Sequence, residues 1–376
     1  MEGILLLIGL IIMVGVILCV YLLLSYYPPL GAGQSTARRR EHSKSKNYAG
    51  KGFVNAIPTS MAVATSHKDR MSLMTDYIKG NPNSRPTKSL EVTRMNKQHF
   101  VAAEQPRLTW FGHSASLLQL DGKTFLLDPM FGKAPSPVPL IGGKRYSKTL
   151  PFEIEQLPIV DAVIISHDHY DHLDYGSIIK LKSKVKRFIV PLGVAPHLIK
   201  WGIDAAIITE HDWWDELTYE GINLTCTPAR HFSGRSLTDR NATLWCSWVI
   251  RGQSAKIFFS GDSGYGPHFK EIGDKYGPFD LTLMECGQYN EHWASIHMFP
   301  EETVQAHLDV RGNVMIPIHW GAFTLSLHAW TDPVERAVKA AKERNVTLAT
   351  PRIGETVHIN TASYPVEEWW NKKGSD

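Results

Sequence analysis

A chain of 376 residues with 43% hydrophobic and 20% charged positions is long enough for one large or two ordinary domains with a substantial core, which excludes a largely disordered protein. Its formal charge of +3 is unevenly placed, because residues 35–51 hold Arg38, Arg39, Arg40, Lys44, Lys46 and Lys51 against Glu41 alone. The remainder is close to neutral, so the body lacks the basic face that binding to nucleic acid would need.

Ile4 to Leu24 is an uncharged, mostly aliphatic run that as a helix would extend about 31 Å and match a bilayer core. No basic stretch precedes it and no small-residue cleavage site follows, which favours an uncleaved transmembrane anchor over a signal peptide. All nearby Lys and Arg come after it, predicting a cytoplasmic body, with Tyr26 and Tyr27 at the interface. Residues 28–52 read as a basic linker, able to rest on anionic headgroups. Residues 53–100, with a short helix over 66–78 and a break at 81–86, read as an extension packed on the main domain. Cys19 lies in the apolar run, and Cys226, Cys246 and Cys286 are widely spaced, a pattern of buried thiols with no disulfide framework.

From Leu108 apolar strands recur, at 108–111, 115–120, 124–127, 160–165, 187–191, 206–208, 222–227, 244–250, 255–260, 280–284 and 314–318. Helices are expected at 175–182, 193–200, 300–309 and 332–344, and no internal repeat is visible. The order implies an α+β fold of two sheets flanked by helices. Of the tryptophan pairs, Trp213 and Trp214 read equally as lipid-facing or core, and Trp369 and Trp370 as packing or interfacial.

The run Val160–Ile165 ends in Ser-His-Asp-His-Tyr-Asp-His, a strand delivering His167, His169, Asp171 and His172 to its carboxyl end. Later apolar runs end in His231, Asp262 and His319 in the same way. Imidazole and carboxylate suit zinc, with manganese or iron(II) acceptable, and three imidazoles leave a position open for water. The assignment is two divalent ions: His167, His169 and His231 on one, Asp171, His172 and His319 on the other, and Asp262 bridging. His113 and Asp128 sit at further strand ends, Asp128 placed to orient a ligand imidazole. Gly261-Asp-Ser-Gly264 mimics a serine-protease segment, but without the His and Asp context, so Ser263 reads as a turn residue.

Together with Thr109-Trp-Phe-Gly-His113, Phe259-Ser-Gly-Asp-Ser-Gly-Tyr265, Tyr276-Gly-Pro-Phe-Asp280 and Ile318-His-Trp-Gly-Ala-Phe323, these ligands resemble the metallo-β-lactamase superfamily. Within it the likeness is to the N-acylphosphatidylethanolamine-hydrolysing phospholipase D branch and its bacterial relatives, over about Leu108–Pro333. The resemblance implies an αββα sandwich with two zinc ions between its sheets, the same seven ligands, and a catalytic imidazole at His297 beside Asp262. It implies a phosphodiesterase of the phospholipase D type, which the apolar run would anchor to the membrane; the partners expected are a phospholipid or other phosphodiester, the membrane and a second copy as a homodimer. Arg230, Arg235 and Tyr265 are weaker candidates for holding phosphate. The segment Met284-Glu-Cys-Gly-Gln-Tyr-Asn290 departs from the family's more apolar form, and Glu285 and Gln288 would make that wall more polar. The division expected is 1–27 anchor, 28–100 linker and extension, and 101–376 hydrolase domain. The alternatives are a metallo-hydrolase of a soluble lactone or cyclic phosphodiester, and a non-catalytic membrane-bound binding protein.

Overall fold

The computed structural model describes residues 2–60, 67–101, 105–138 and 142–371. Helix α1 (Glu2–Tyr26) is followed by α2 (Thr36–His42), a small hairpin of β1 (Tyr48–Ala49) and β2 (Gly52–Phe53), and α3 (His67–Lys79). The body then builds two seven-stranded sheets.

The first sheet takes β3 (Arg107–Trp110), β4 (Ser116–Leu120), β5 (Lys123–Leu127), β6 (Val160–Ile164), β7 (Val185–Pro191) and β8 (Ile208–His211). The second takes β9 (Glu216–Tyr219), β10 (Ile222–Thr227), β11 (Ser247–Arg251), β12 (Lys256–Phe259), β13 (Phe279–Glu285), β14 (Gly312–Ile318) and β15 (Thr347–Leu348). The last strand, β16 (Thr356–His358), returns to the first sheet beside β3. In each sheet one half is antiparallel and the other parallel, the change falling at β5 in the first and β12 in the second. The chain therefore repeats one architecture twice without a repeat that can be read in its residues.

Period-two alternation sorts the side chains into layers. Leu118, Leu127 and Ile164 of the first sheet meet Leu224, Trp248, Phe259 and Ile316 of the second between the sheets. Their sequence neighbours Leu117, Leu126 and Val163 point outward under α4 (Tyr175–Leu181) and α5 (Ala195–Lys200). On the far side Phe258 and Met315 lie under α6 (His268–Tyr276), α7 (Pro300–Asp309) and α8 (Asp332–Glu343). Buried on both faces, β6 is apolar apart from Asp161, as a central parallel strand must be. In α8, Val334, Ala337, Ala340 and Ala341 recur at helical spacing and are the buried stripe. The result is the expected αββα sandwich.

The structure gives the anchor no support, ties the linker down and resolves the tryptophan pairs. In α1, the side chains described without a break run from Gly3 to Cys19, every one exposed. Parts of the expected span Ile4–Leu24 fall outside the described side chains, and among the described residues no helix is long and apolar enough to cross a membrane. Residues 28–55 are not a loose linker. Trp201 Nε1 donates to Pro28 O (2.7 Å), Lys200 Nζ to Gly31 O (2.7 Å), Ala32 N to His197 Nδ1 (2.8 Å) and Asn47 Nδ2 to Asp212 Oδ1 (2.8 Å), so they form a strap across the body. Finally, both tryptophan pairs pack inward: Trp213 Nε1 donates to Trp245 O, Trp214 stacks on Tyr276, and Trp369 stacks on Trp320.

Candidate metal centre

The ligand-bearing loops follow the carboxyl ends of β6, β10, β12 and β14, so both sheets feed one point at the edge of the sandwich. Gly261 precedes Asp262 at φ +55°, and a Cβ there would lie 2.7 Å from both Cys246 O and Ser166 Cβ. At Gly264 a Cβ would lie 2.1 Å from Ser295 O, so the Gly-Asp-Ser-Gly run is a steric requirement of close backbone approach. Ser263 serves the turn, its Oγ accepting from Arg230 N (2.9 Å) and donating to Gly264 O (2.8 Å). His113, Asp128 and His319, beside the cluster, also sit at positive φ.

The surroundings choose which nitrogen each imidazole presents. His172 Nδ1 donates to Asp128 Oδ2 (2.7 Å), His231 Nδ1 to Ile296 O (3.0 Å) and His319 Nδ1 to Gly287 O (3.3 Å). Ser166 Oγ donates to Asp128 Oδ2 (2.5 Å) and is thereby an acceptor for His167 Nδ1 (2.9 Å). Asp128 thus orients two of the four directly or through Ser166, as its place at a strand end suggested. With Nδ1 so engaged, it is Nε2 of His167, His172, His231 and His319 that faces inward.

There they converge. His169 Nδ1 lies 2.9 Å from His167 Nε2 and 3.2 Å from His231 Nε2. Nitrogens at 2.0–2.1 Å from one tetrahedral ion would be about 3.3 Å apart, so this spacing fits a shared cation. Asp171 Oδ2 lies 3.4 Å from His172 Nε2 and 3.2 Å from His319 Nε2. Between the two sets, Asp262 Oδ2 is 3.1 Å from His172, 3.0 Å from His319, and 3.8 Å from both His167 and His231. Asp262 Oδ1 is buried with no protein partner. Four imidazoles around one carboxylate oxygen, its twin unpartnered, are a donor set that fits two cations.

Electrostatics agree with a site built for positive charge. Burial pushes His167 and His231 well below the ordinary imidazole value, with neighbouring imidazoles adding to the effect. For His319 burial pulls the same way but is outweighed by Asp262 and Asp171, which lift it to about 10; His172 is raised by the same carboxylates. Asp171 and Asp262 are held well below the usual carboxylate range by His172 and His319, despite burial.

His297 stands beside this group, its ring centroid 5.0 Å from that of His231 and stacked 5.2 Å from that of His319, with a side chain 13% exposed. The proposed phosphate-holding residues are placed otherwise. Arg235, 3% exposed, gives its guanidinium to the carbonyls of Asp168, Leu173 and Pro29. Arg230 binds Pro58 O, Thr59 Oγ1 and Tyr265 O, and the Tyr265 hydroxyl donates to Asp309 Oδ2 (2.6 Å). In these contacts the three brace the segment before the body, the ligand loop and α7. Gln288 likewise braces His319 O and Phe323 O rather than lining a wall.

Three contacts went unread in the sequence. His113 Nε2 donates to Asp171 Oδ2 (2.8 Å). The buried Glu285 meets His297 Nδ1. From the strap, Asn55 brackets a ligand: its Nδ2 donates to His231 O (2.8 Å) and its Oδ1 accepts from His231 N (3.0 Å).

The family described as "Beta-lactamase superfamily domain" matches residues 123–320. An uncharacterized Mycobacterium tuberculosis protein is 40% identical over 347 residues, 91% of this chain and 92% of its own. The Caenorhabditis elegans N-acyl-phosphatidylethanolamine-hydrolyzing phospholipase D 1 is 37% identical over 230 residues, 58% of this chain and 64% of that one. Among solved structures, the isothiocyanate hydrolase from Delia radicum gut bacteria superposes with a TM-score of 0.54 at 21% identity, over 68% of this chain and 100% of that one, a likeness of fold. With the family match spanning more than half of its length, the chain belongs to the metallo-β-lactamase superfamily of metal-dependent hydrolases.

Proposed function

We propose that the protein is a dinuclear metal-dependent phosphodiesterase of the phospholipase D type, acting on N-acylphosphatidylethanolamine-like lipids from a membrane anchor. The observation that carries the reaction class is the single Asp262 oxygen within 3.0–3.8 Å of four imidazole nitrogens from both ligand sets. His167, His169 and His231 would hold one ion and Asp171, His172 and His319 the other, with Asp262 shared. Two divalent cations, zinc in this proposal, supply when bound a nucleophilic water at neutral pH and a counter-charge for phosphoryl oxygens.

The residues divide the remaining work. Asp128 and Ser166 keep His172 and His167 in the tautomer that points Nε2 inward, and Ile296 O and Gly287 O do so for His231 and His319. His297, at the exposed side of the cluster, is within reach of a bound phosphodiester; its Nε2 would take the proton given up by the attacking water and pass it to the departing alcohol. Attack on phosphorus would give phosphatidic acid and an N-acylethanolamine.

Support for a lipid comes from two sides. The C. elegans relative is named for that substrate. Beside the ligand loop, Tyr170 and Asp174 join Phe131 and Arg145 in lining a cavity of about 500 Å³, with Lys148 and with Pro29 at the foot of α1, a combination that suits an anionic amphiphile. The anchor rests on the uncharged run Ile4–Leu24 and on the exposure of the described aliphatic side chains of α1, which water would not favour. A cytoplasmic body follows if the basic residues after α1 stay inside. A homodimer is carried by no observation and is left out of the proposal. The test is metal analysis of the purified chain followed by a screen of phosphodiesters, lactones and N-acyl phospholipids; turnover of lactones alone would overturn the lipid reading.

A further inference from the structure

We infer that Glu285 is a positioning residue that decides which nitrogen of His297 meets the substrate, an inference that rests on the hydrolase reading above. Glu285 closes β13 and is fully buried. Its backbone is pinned, with Glu285 N donating to Ser260 Oγ (3.0 Å) and Thr303 Oγ1 donating to Glu285 O (2.7 Å). A carboxyl group at such a place is costly unless its oxygens are engaged, and both are. Oε2 accepts the backbone N–H of Ser263, the residue after Asp262, and Oε1 meets His297 Nδ1.

The carboxylate is not a further ligand of the cluster. Its approach to His319 is to Nδ1, at 3.9 Å, the nitrogen of that ring turned away toward Gly287 O. Glu285 therefore sits behind the imidazoles. A carboxylate only accepts, so the proton of His297 is held at Nδ1 and the ring is fixed between His231 and His319. Nε2 is then the atom presented at the open side of the site. The arrangement has the logic of a carboxylate–imidazole pair in which the acid sets tautomer and direction and the imidazole does the contact.

Glu285→Gln separates this from plain packing. The backbone N–H of Ser263 cannot accept, so the amide oxygen of glutamine must face it, which turns the NH2 toward His297. Nδ1 is then forced to accept, and the proton moves to Nε2. The full chain, labelled with ¹⁵N-histidine and loaded with zinc in detergent, is read by two-bond ¹H–¹⁵N correlation, with His297→Ala assigning the ring. We expect an Nδ1 proton in the native chain and an Nε2 proton in Glu285→Gln, with equal zinc content. We further expect kcat on an alkyl phosphodiester to fall about 10²-fold while KM stays within about threefold. A native His297 without an Nδ1 proton overturns the inference, and this arm does not depend on how the variant folds. A reversed tautomer with unchanged kcat also overturns it. If the native chain cleaves no phosphodiester, the phosphodiesterase reading falls, and the tautomer result still judges Glu285.

Discussion

Replacing Asn55 by alanine removes three hydrogen bonds at once, two on the main chain of His231 (2.8 and 3.0 Å) and one from Trp245 Nε1 (3.1 Å). Each is worth about 0.5–1.5 kcal/mol net, and a half-buried side chain regains part of this from water, so about 2 kcal/mol of stability should be lost. The location is more informative than the sum. His231 also depends on Ile296 O at Nδ1, so its ring stays oriented while its backbone loosens. Loss of a partner that orients a ligand costs about 10–100-fold in metal affinity, and that range is expected here. Competition of the full chain against a chelator of known affinity gives the number, and thermal unfolding of the metal-loaded and metal-free forms separates affinity from folding. An Asn55→Ala chain that unfolds earlier but holds metal as tightly as the native one would refute the claim that the strap helps to build the centre.

Cutting the chain tests the same idea from outside. Deleting residues 1–27 leaves the strap from Pro28 onward and should release a metal-loaded chain from membranes, whereas deleting 1–60 removes Asn55 and should cost metal; equal metal in both forms counts against the strap. Because Asp262 and Asp171 lift His319 to about 10, the metal-free chain at neutral pH carries a proton there that a cation must displace. Metal uptake should release at least one proton near pH 7.5 and tighten as pH rises toward 10, which calorimetry in two buffers of different ionisation enthalpy will show or deny. In the metal-free chain that raised value also stabilises the fold below about pH 6.5, an advantage lost as pH climbs through about 10, so its melting temperature should fall over that window.

The seven candidate ligands were legible because each closes an apolar run, and the physics that makes a buried strand also makes its polar stop conspicuous. The central strands were legible for the same reason. Among the strands, what escaped is short or at an edge: β9 alternates exposed and half-exposed residues, β15 has two residues and β16 three. The strap escaped because its bonds run through Pro28 O, Pro29 O and Gly31 O, carbonyls that every sequence has, in a stretch whose composition resembles a linker. For a related reason the bonds of Arg235 to the carbonyls of Asp168 and Leu173 could not be read from the sequence. Glu285 was noticed as polar, but its pairing with His297 joins a strand end to a loop and has no local signature.

Everything in the proposed chemistry depends on Asp262 being shared between two ions. Metal content per chain, measured on the native protein and on Asp262→Ala purified alike, tests this most directly. Two metal ions per native chain and loss of both from the folded variant are expected; a native chain with no bound metal, or a variant that keeps two, would contradict a shared Asp262.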